Sequence, residues 1–437
     1  MSNMEKLFET SYINQEVLQE LSSDSPTWVK VRKANAYHNF LELDLDQDTL
    51  FYKYTNFKNF NPNSLNPIWN LEGATDIDVG SLKIEDVVPN LVEHSGRTLN
   101  FDRAEIEKLG GFFGTLEELN SKDEKLAKRI IEKSSASDRF DKLGELAKAF
   151  TLSTIILYLP PNAILGTPLF RRIMLDGEGE AAFSEIIIYL EEGASASYFE
   201  YYGSGLGNSS EQMYITSQTI VLDDNATFKM LSIQDWNDHI IHIGSKYANV
   251  GPYAKLYSLQ QFQGSNLSRF NSGIKFVGRG SEGYDLFNSF GNHKQRFDFK
   301  SQLDHVAENT IGQTHSRTVM MNKAESILRG LIHIQKTGVN ADSYLSSNGL
   351  TIGKGKVIAV PALIIDQNDV VAAHAASVEP LNKDKIFYIS SRGIPEKLAE
   401  ELLIKGYFIP VTKILGDERL EEISKSALSK KWEESKV

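Results

Sequence analysis

No cysteine occurs among the 437 residues of this chain. Disulfides are thereby excluded, and so is any thiolate in nucleophilic, redox or cluster-ligating chemistry. Positive charge is also short. Against 58 aspartates and glutamates stand 46 lysines and arginines, a formal net charge of −12. Such a chain carries no electrostatic footprint for a nucleic-acid backbone or an anionic bilayer, so neither is expected as a partner. Long apolar runs are lacking too. VIAVPALII at 357–365 contains Pro361 and falls far short of the ~20 residues that span a bilayer. The opening MSNMEKLFETS is charged where a secretory signal would be apolar. A cytoplasmic protein is the expectation.

What is present is ordinary for a folded protein: 41% hydrophobic, 24% charged and 10% aromatic residues. The length suits two or three compact domains, or one elongated repeat body. Three regions stand out. Residues 1–150 read as mostly helical. In SPTWVKVRKANAYHNFLEL, Ser25 is the expected N-cap and Pro26 the first helical residue. NFKNFNPNSLNP reads as a loop, and the alternating charges of EELNSKDEKLAKRIIEKSSASDRFDKLGELAKAF read as a solvated helical face.

From 151 to 380 one short strand follows another, as in SEIIIYLEEG, QMYITSQTIVLDD and KVIAVPALIID, with small polar turns between. The turns recur at about 26 to 32 residues early on and about 13 to 16 later, as though one coil showed its corners once or twice per turn. A parallel β-helix fits this best, with a sandwich or propeller as the alternative. Residues 381–437 turn helical again. Pro395 opens a helix with Leu398, Leu402 and Leu403 on one face and Gly406 at its end, and DERLEEISKSALSKKWEESK forms a second amphipathic helix.

Catalytic signals are weak. NGLTIGKGK at 348–356 has Asn348 where a phosphate loop needs its first Gly, and Gly355 where it needs Ser or Thr. No Gly-x-Ser-x-Gly elbow occurs. Asp238, His239 and His242 lie close in sequence, but IIHIGSKY reads as strand and sends the two histidines apart. Adjacent Asp304 and His305 diverge for the same reason, and His315 reads as an ordinary strand residue. His374, in VVAAHAAS, is flanked by small residues that leave an imidazole accessible; a structural histidine is the plainer reading from residue types alone. Carbohydrate-active enzymes also use β-helices, and carboxylates are plentiful, so that class stays open.

Four segments carry a family likeness: PTWVKVRKANAYHNFLEL; LYLPPNAILGTPL with IIIYLEEGASASYFEYYGS; SIQDWND with KSQLDHVAENTIGQTHSRTVMMNKAESILRGLIHI; and DVVAAHAASVEPLNKDKIFYISSRGIPEKLAEELLIKGYF. Together they span roughly residues 25–410, and the chain resembles the SufB/SufD family of the SUF iron–sulfur cluster assembly system. The resemblance implies a right-handed parallel β-helix core between helical flanks, and a non-enzymatic scaffold. The SufB type carries a cysteine and a Glu at positions matching Ser347 and Ala375, so the SufD type is implied. It further implies a SufB-type partner joined through the β-helix end, and a SufC-type ATPase docked on 386–410 through Phe387, Tyr388, Arg392, Gly393 and Ile394. A homodimer is implied when the SufB-type partner is lacking. His374 matches a histidine facing the partner's cysteine, where it would touch iron or a transient iron–sulfur cluster; no cofactor is expected to stay on this chain alone. Gln234, Trp236 and Lys246 match a segment that in SufB-type subunits contributes to an internal sulfur path, and are read here as core or rung-surface residues. The alternatives are an adaptor solenoid with no cluster role and a carbohydrate-active β-helix enzyme.

Overall fold

The computed structural model describes residues 8, 10–44, 60–70, 83–84, 86–100, 102–135, 141–205 and 210–435. Part of the loop expected at 56–67 lies outside them. The N-terminal region contains helices α1 (Gln15–Leu21), α2 (Thr27–Glu42), α3 (Ala104–Lys108), α4 (Leu116–Lys122), α5 (Glu124–Ser135) and α6 (Lys142–Phe150). Short strands β1 (Asn66–Pro67), β2 (Leu91–His94), β3 (Arg97–Asn100) and β4 (Phe112–Thr115) lie among them. Longer strands follow: β5 (Thr154–Leu159), β6 (Leu169–Leu175), β7 (Glu180–Leu190), β8 (Ser195–Ser204), β9 (Gln212–Leu222), β10 (Thr227–Asp235), β11 (Ile240–Val250) and β12 (Lys255–Phe262). The series continues with β13 (Leu267–Phe276), β14 (Glu282–Gly291), β15 (Arg296–His305), β16 (Ile311–Asn322), β17 (Glu325–Ile334), β18 (Asp342–Gly353), β19 (Lys356–Ile365) and β20 (Val371–Pro380). Helices α7 (Lys383–Ser390), α8 (Glu396–Thr412) and α9 (Glu418–Glu434) complete the chain.

The protein is mainly β, a parallel β-solenoid of about 8 turns flanked by helices at both ends of the chain. Odd strands from β5 to β19 build one sheet and even strands from β6 to β20 the other. Along the even sheet Ser195, Thr227, Lys255, Glu282, Ile311, Asp342 and Val371 are successive register partners, 27 to 32 residues apart. That interval is one turn of the coil; the shorter spacing in the sequence separates its two corners.

One corner repeats a small chemical device. Asn162, Gly193, Asn225, Tyr253, Gly280, Asn309 and Asn340 all have φ between 55° and 69°. Left-handed backbone is tolerated by Gly and Asn, which explains the residue choice at all but Tyr253. Each donates its N–H to a carbonyl of the next turn at 2.8–3.1 Å. A buried small residue follows each one: Ala163, Ala194, Ala226, Ala254, Ser281, Thr310 and Ala341. The sequence thus holds a two-residue repeat, too short to notice without the coil.

Strands alternate their side chains between two buried environments. Ile155, Leu157, Ile186 and Ile188 face the solenoid interior, whereas Ile156, Tyr158, Ile187 and Tyr189 pack outward beneath α4 and α5. Helix α6 is buried between α2 and the odd sheet, with Leu143, Leu146 and Phe150 against Phe183, Ile215 and Ile243. This corrects the solvated reading at the end of that stretch, whereas α4 and α5 do turn a charged face to solvent, with Glu117, Lys125, Lys128 and Glu132 exposed. The charges of α6 are satisfied locally: Lys148 pairs with Glu145 at 2.6 Å, and Lys142 Nζ donates to the Leu43 carbonyl at 2.8 Å.

Helices α8 and α9 lie along the outer face of the even sheet. Val411, Leu415, Leu420 and Ile423 cover Phe199, Leu231, Leu259 and Leu286, while Ile404, Phe408 and Trp432 cover Phe290 and Val319. Three helix boundaries differ from expectation. Pro26 and Pro395 are capping residues with ψ near 149° and 142°, one place before the first helical residue, and Ser25 is not the cap. Gly406 does not end α8, which runs to Thr412 and tolerates Pro410. Burial of Phe408 and Val411 against the sheet drives it onward, overriding the Gly and Pro signals.

Candidate functional site at the open end of the solenoid

The last turn, β19 and β20, has no turn beyond it. Among the described residues β19 pairs only with β17 and β20 only with β18, so each offers one unpaired backbone edge. Register places His374 in the inward column Ser258, Asp285, Thr314, Leu345. Leu345 is fully buried and packs so tightly on Gly330 that a Cβ there would collide with it. His374, one turn further, stands exposed above that apolar floor. Ser347 is buried in the neighbouring inward column and registers with Ala376, not with His374, whereas Ala375 registers with Ser346. Ile365 (43% exposed) and Val378 (47%) also occupy inward columns with nothing above them.

The chain passes from β20 into α7 through Leu381 and Asn382, whose side chain accepts from the Lys385 N–H. On α7, Ile386 faces inward while Phe387 (75% exposed) and Tyr388 (58%) face solvent. Arg392 stacks on the Tyr388 ring at 4.6 Å and donates to its hydroxyl at 2.6 Å. Gly393 makes the reversal into α8 at φ 89°, and Ile394 is half-buried. Leu398 and Leu402 are exposed on α8, so the apolar face expected there points outward. Between α7, α8 and the ends of β18 and β20 lies a groove of ≈ 460 Å³, lined by Thr351, Ile352, Leu381, Ile386, Phe387 and Glu400. Sequence reasoning missed this groove because its walls come from two strands and two helices.

The other histidines are not brought together. His239 is exposed, and Asp238 instead meets His293 at 3.2 Å and Gln295 at 2.7 Å. His242 is buried, and burial lowers its imidazole to about 3. His305 is likewise lowered to about 3 by burial; it meets Thr310 Oγ1 at 2.7 Å and Ser343 Oγ at 3.0 Å and stacks on Phe276. His315 bonds Ser346 and Gln313. Among the described residues no three His, Asp or Glu side chains converge as a metal site.

Gln234, Trp236 and Lys246 are all core residues. Lys246 Nζ donates to Asp285 at 2.8 Å and Ser258 at 2.5 Å, and Asp285 also accepts from Ser272 and Ser301. That buried pair is therefore held in a hydrogen-bond network, which is what makes its burial tolerable.

Comparison with known proteins matches this architecture. The family model described as "SUF system FeS cluster assembly, SufBD core domain" covers residues 173–407. The chain is 24% identical over 429 residues to the iron–sulfur cluster assembly protein SufD of Bacillus subtilis, spanning 96% of this chain and 98% of that one. It is 24% identical over 328 residues to an iron–sulfur cluster assembly SufBD family protein of Staphylococcus haemolyticus, spanning 74% and 69% of the two chains. With the matched core running from β6 into α8, the chain belongs to the SufBD family of SUF-system iron–sulfur cluster assembly proteins.

Proposed function

We propose that this chain is a non-catalytic, SufD-type scaffold subunit. It pairs with a SufB-type subunit through the open end of the solenoid and docks a SufC-type ATPase on α7 and the start of α8. The observation that carries this reading is the uncapped last turn, which joins two unpaired strand edges, an exposed imidazole and an outward aromatic pair within one short stretch of chain. A neutral imidazole is a good ligand for iron. His374 stands alone at the end, so the remaining ligands to an iron or nascent-cluster cargo come from the partner subunit. ATP chemistry belongs to the ATPase, whose pull on α7 reaches β20 through the two-residue link.

The test is reconstitution with the SufB-type and SufC-type proteins. Cutting the chain before residue 384 is unsuitable, because it would bare the even-sheet face that α8 and α9 cover. Surface substitutions serve instead. Phe387→Ala with Tyr388→Ala is expected to weaken ATPase capture by at least about 2 kcal/mol while leaving the SufB-type partner bound. His374→Ala is expected to keep both partners and lower iron content or cluster yield roughly tenfold or more. Full cluster assembly by His374→Ala would remove that residue from the site. A chain that binds partners yet has no effect on cluster delivery would leave the adaptor reading in its place.

A further inference from the structure

We propose that the cleft between α2 and α5 binds a small planar molecule carrying one carboxylate. The cleft has a volume of ≈ 340 Å³, at the low end of those that hold small ligands. Its lining divides by chemistry. Trp28 and Val31 of α2 and Ile131 of α5 supply apolar surface, with Trp28 packed against the cluster that holds Ile131. Arg32 of α2, Glu145 and Lys148 of α6 and Glu185 of β7 supply charge. Arg32 Nη1 donates to Glu185 at 2.9 Å, Lys148 Nζ to one oxygen of Glu145 at 2.6 Å, and Asn39 Nδ2 to the other at 2.9 Å. Both carboxylates lie deep, with side chains 0% and 3% exposed.

These pairs decide what the cleft can hold. Every oxygen of Glu145 and Glu185 already accepts a hydrogen bond from a neighbouring side chain. A cationic guest would therefore compete with Arg32 and Lys148 for carboxylates that are already engaged. The Lys148 ammonium carries three donors, and Glu145 takes one of them. Its side chain is 21% exposed and lines the cleft, so it can also serve a guest that accepts. A charged acceptor bonds an ammonium more strongly than a neutral one does, which selects a carboxylate over an amide or an alcohol. Two cations and two anions balance in the lining, so a single negative charge fits better than a multiply charged phosphate. The indole of Trp28, with Val31 and Ile131 beside it, suits a flat apolar body.

Benzoate, benzamide and benzamidine share one flat ring and differ in charge, so they serve as probes. The full chain has four tryptophans, and labelling with 5-fluorotryptophan gives each a fluorine resonance, that of Trp28 being the one lost in Trp28→Phe. Benzoate is expected to shift the Trp28 resonance saturably, with a Kd of about 1 mM or tighter. Benzamide is expected to bind at least about tenfold more weakly and benzamidine not to bind. Val31 is 53% exposed, so Val31→Tyr fills the mouth of the cleft without touching the ion pairs and is expected to abolish the benzoate shift. Lys148→Met is expected to erase the preference for benzoate over benzamide. Should Lys148→Met fail to fold, because Glu145 is left buried without its cation, Val31→Tyr decides alone. No shift with benzoate, an equal response to benzamidine, or a benzoate shift that survives Val31→Tyr overturns the proposal.

Discussion

At one corner of every turn from Asn162 to Asn340 the backbone must enter the left-handed region, and six of the seven positions are Asn or Gly. Tyr253 is the exception. It is more than half exposed, with its ring lying over Gly280. An aromatic side chain gains little there and bears the steric cost of positive φ. Tyr253→Asn is expected to raise unfolding stability by about 0.5–1 kcal/mol, read from the shift of a urea midpoint at unchanged slope. A lower midpoint would mean that the ring on Gly280 contributes more than the backbone strain costs. The pattern was half legible in the sequence. The small polar turns were visible as turns; that Gly193 and Asn225 each take a left-handed backbone and bond a carbonyl of the next turn was not, because that carbonyl lies a whole turn away in sequence.

Helix α2 is tied to the solenoid wall by Arg32, which donates to both carboxylate oxygens of Glu185, one of them at 2.9 Å, while Thr154 Oγ1 donates at 2.7 Å. Burial pushes the Glu185 carboxyl up, but Arg32 pulls it further down, to below the ordinary range. A carboxyl whose folded value is depressed stabilises the fold above its unfolded value, about 4.3, and that contribution is lost as pH falls through the lower folded value. Glu185→Gln is therefore expected to cost stability at neutral pH and to flatten the loss below about pH 4.3, measured by chemical denaturation across that window. Equal acid slopes in the two proteins would show that the pair does not couple α2 to the sheet. The same layer shows where the sequence misled. Glu145 and Lys148 belong to a stretch whose alternating charges read as a solvated face, yet they pair with each other and α6 is buried against α2 and the odd sheet. In α8 the error ran the other way: Gly406 read as the stop, and only the Phe408 and Val411 contacts with the even sheet show why the helix continues through it and Pro410. The outward set Leu398 and Leu402 was legible because helical spacing alone puts them together.

The two ends of the solenoid are finished differently. At the first turns the parallel order is broken by β4 against β5 and β3 against β2, both antiparallel. Helices α4 and α5 then cover the outer face of β5 and β7. At the last turn the inward columns simply stop, leaving Ile365, Val378 and His374 on an end with two open strand edges. A repeat body needs its ends closed, and charge or distortion is the usual means of guarding an open edge. Pro361 within β19 is one such guard, whereas β20 has Glu379 and Pro380 only at its far end, its first eight positions holding four alanines and no Asp, Glu, Lys or Arg. Such an end is what the proposed SufB-type partner, or a second copy, would cover. With no SufB-type partner present, the chain is expected to form a concentration-dependent dimer through this end. Ile365→Lys with Val378→Lys places two charges in the inward columns, which are solvated in the monomer and desolvated in any end-to-end contact. Sedimentation of the natural chain should give dimer and that of the variant monomer, with the variant also failing to capture the SufB-type subunit. A variant that stays dimeric but loses the SufB-type subunit would assign self-association to another surface, and one that keeps both would move the partner interface away from the open end altogether.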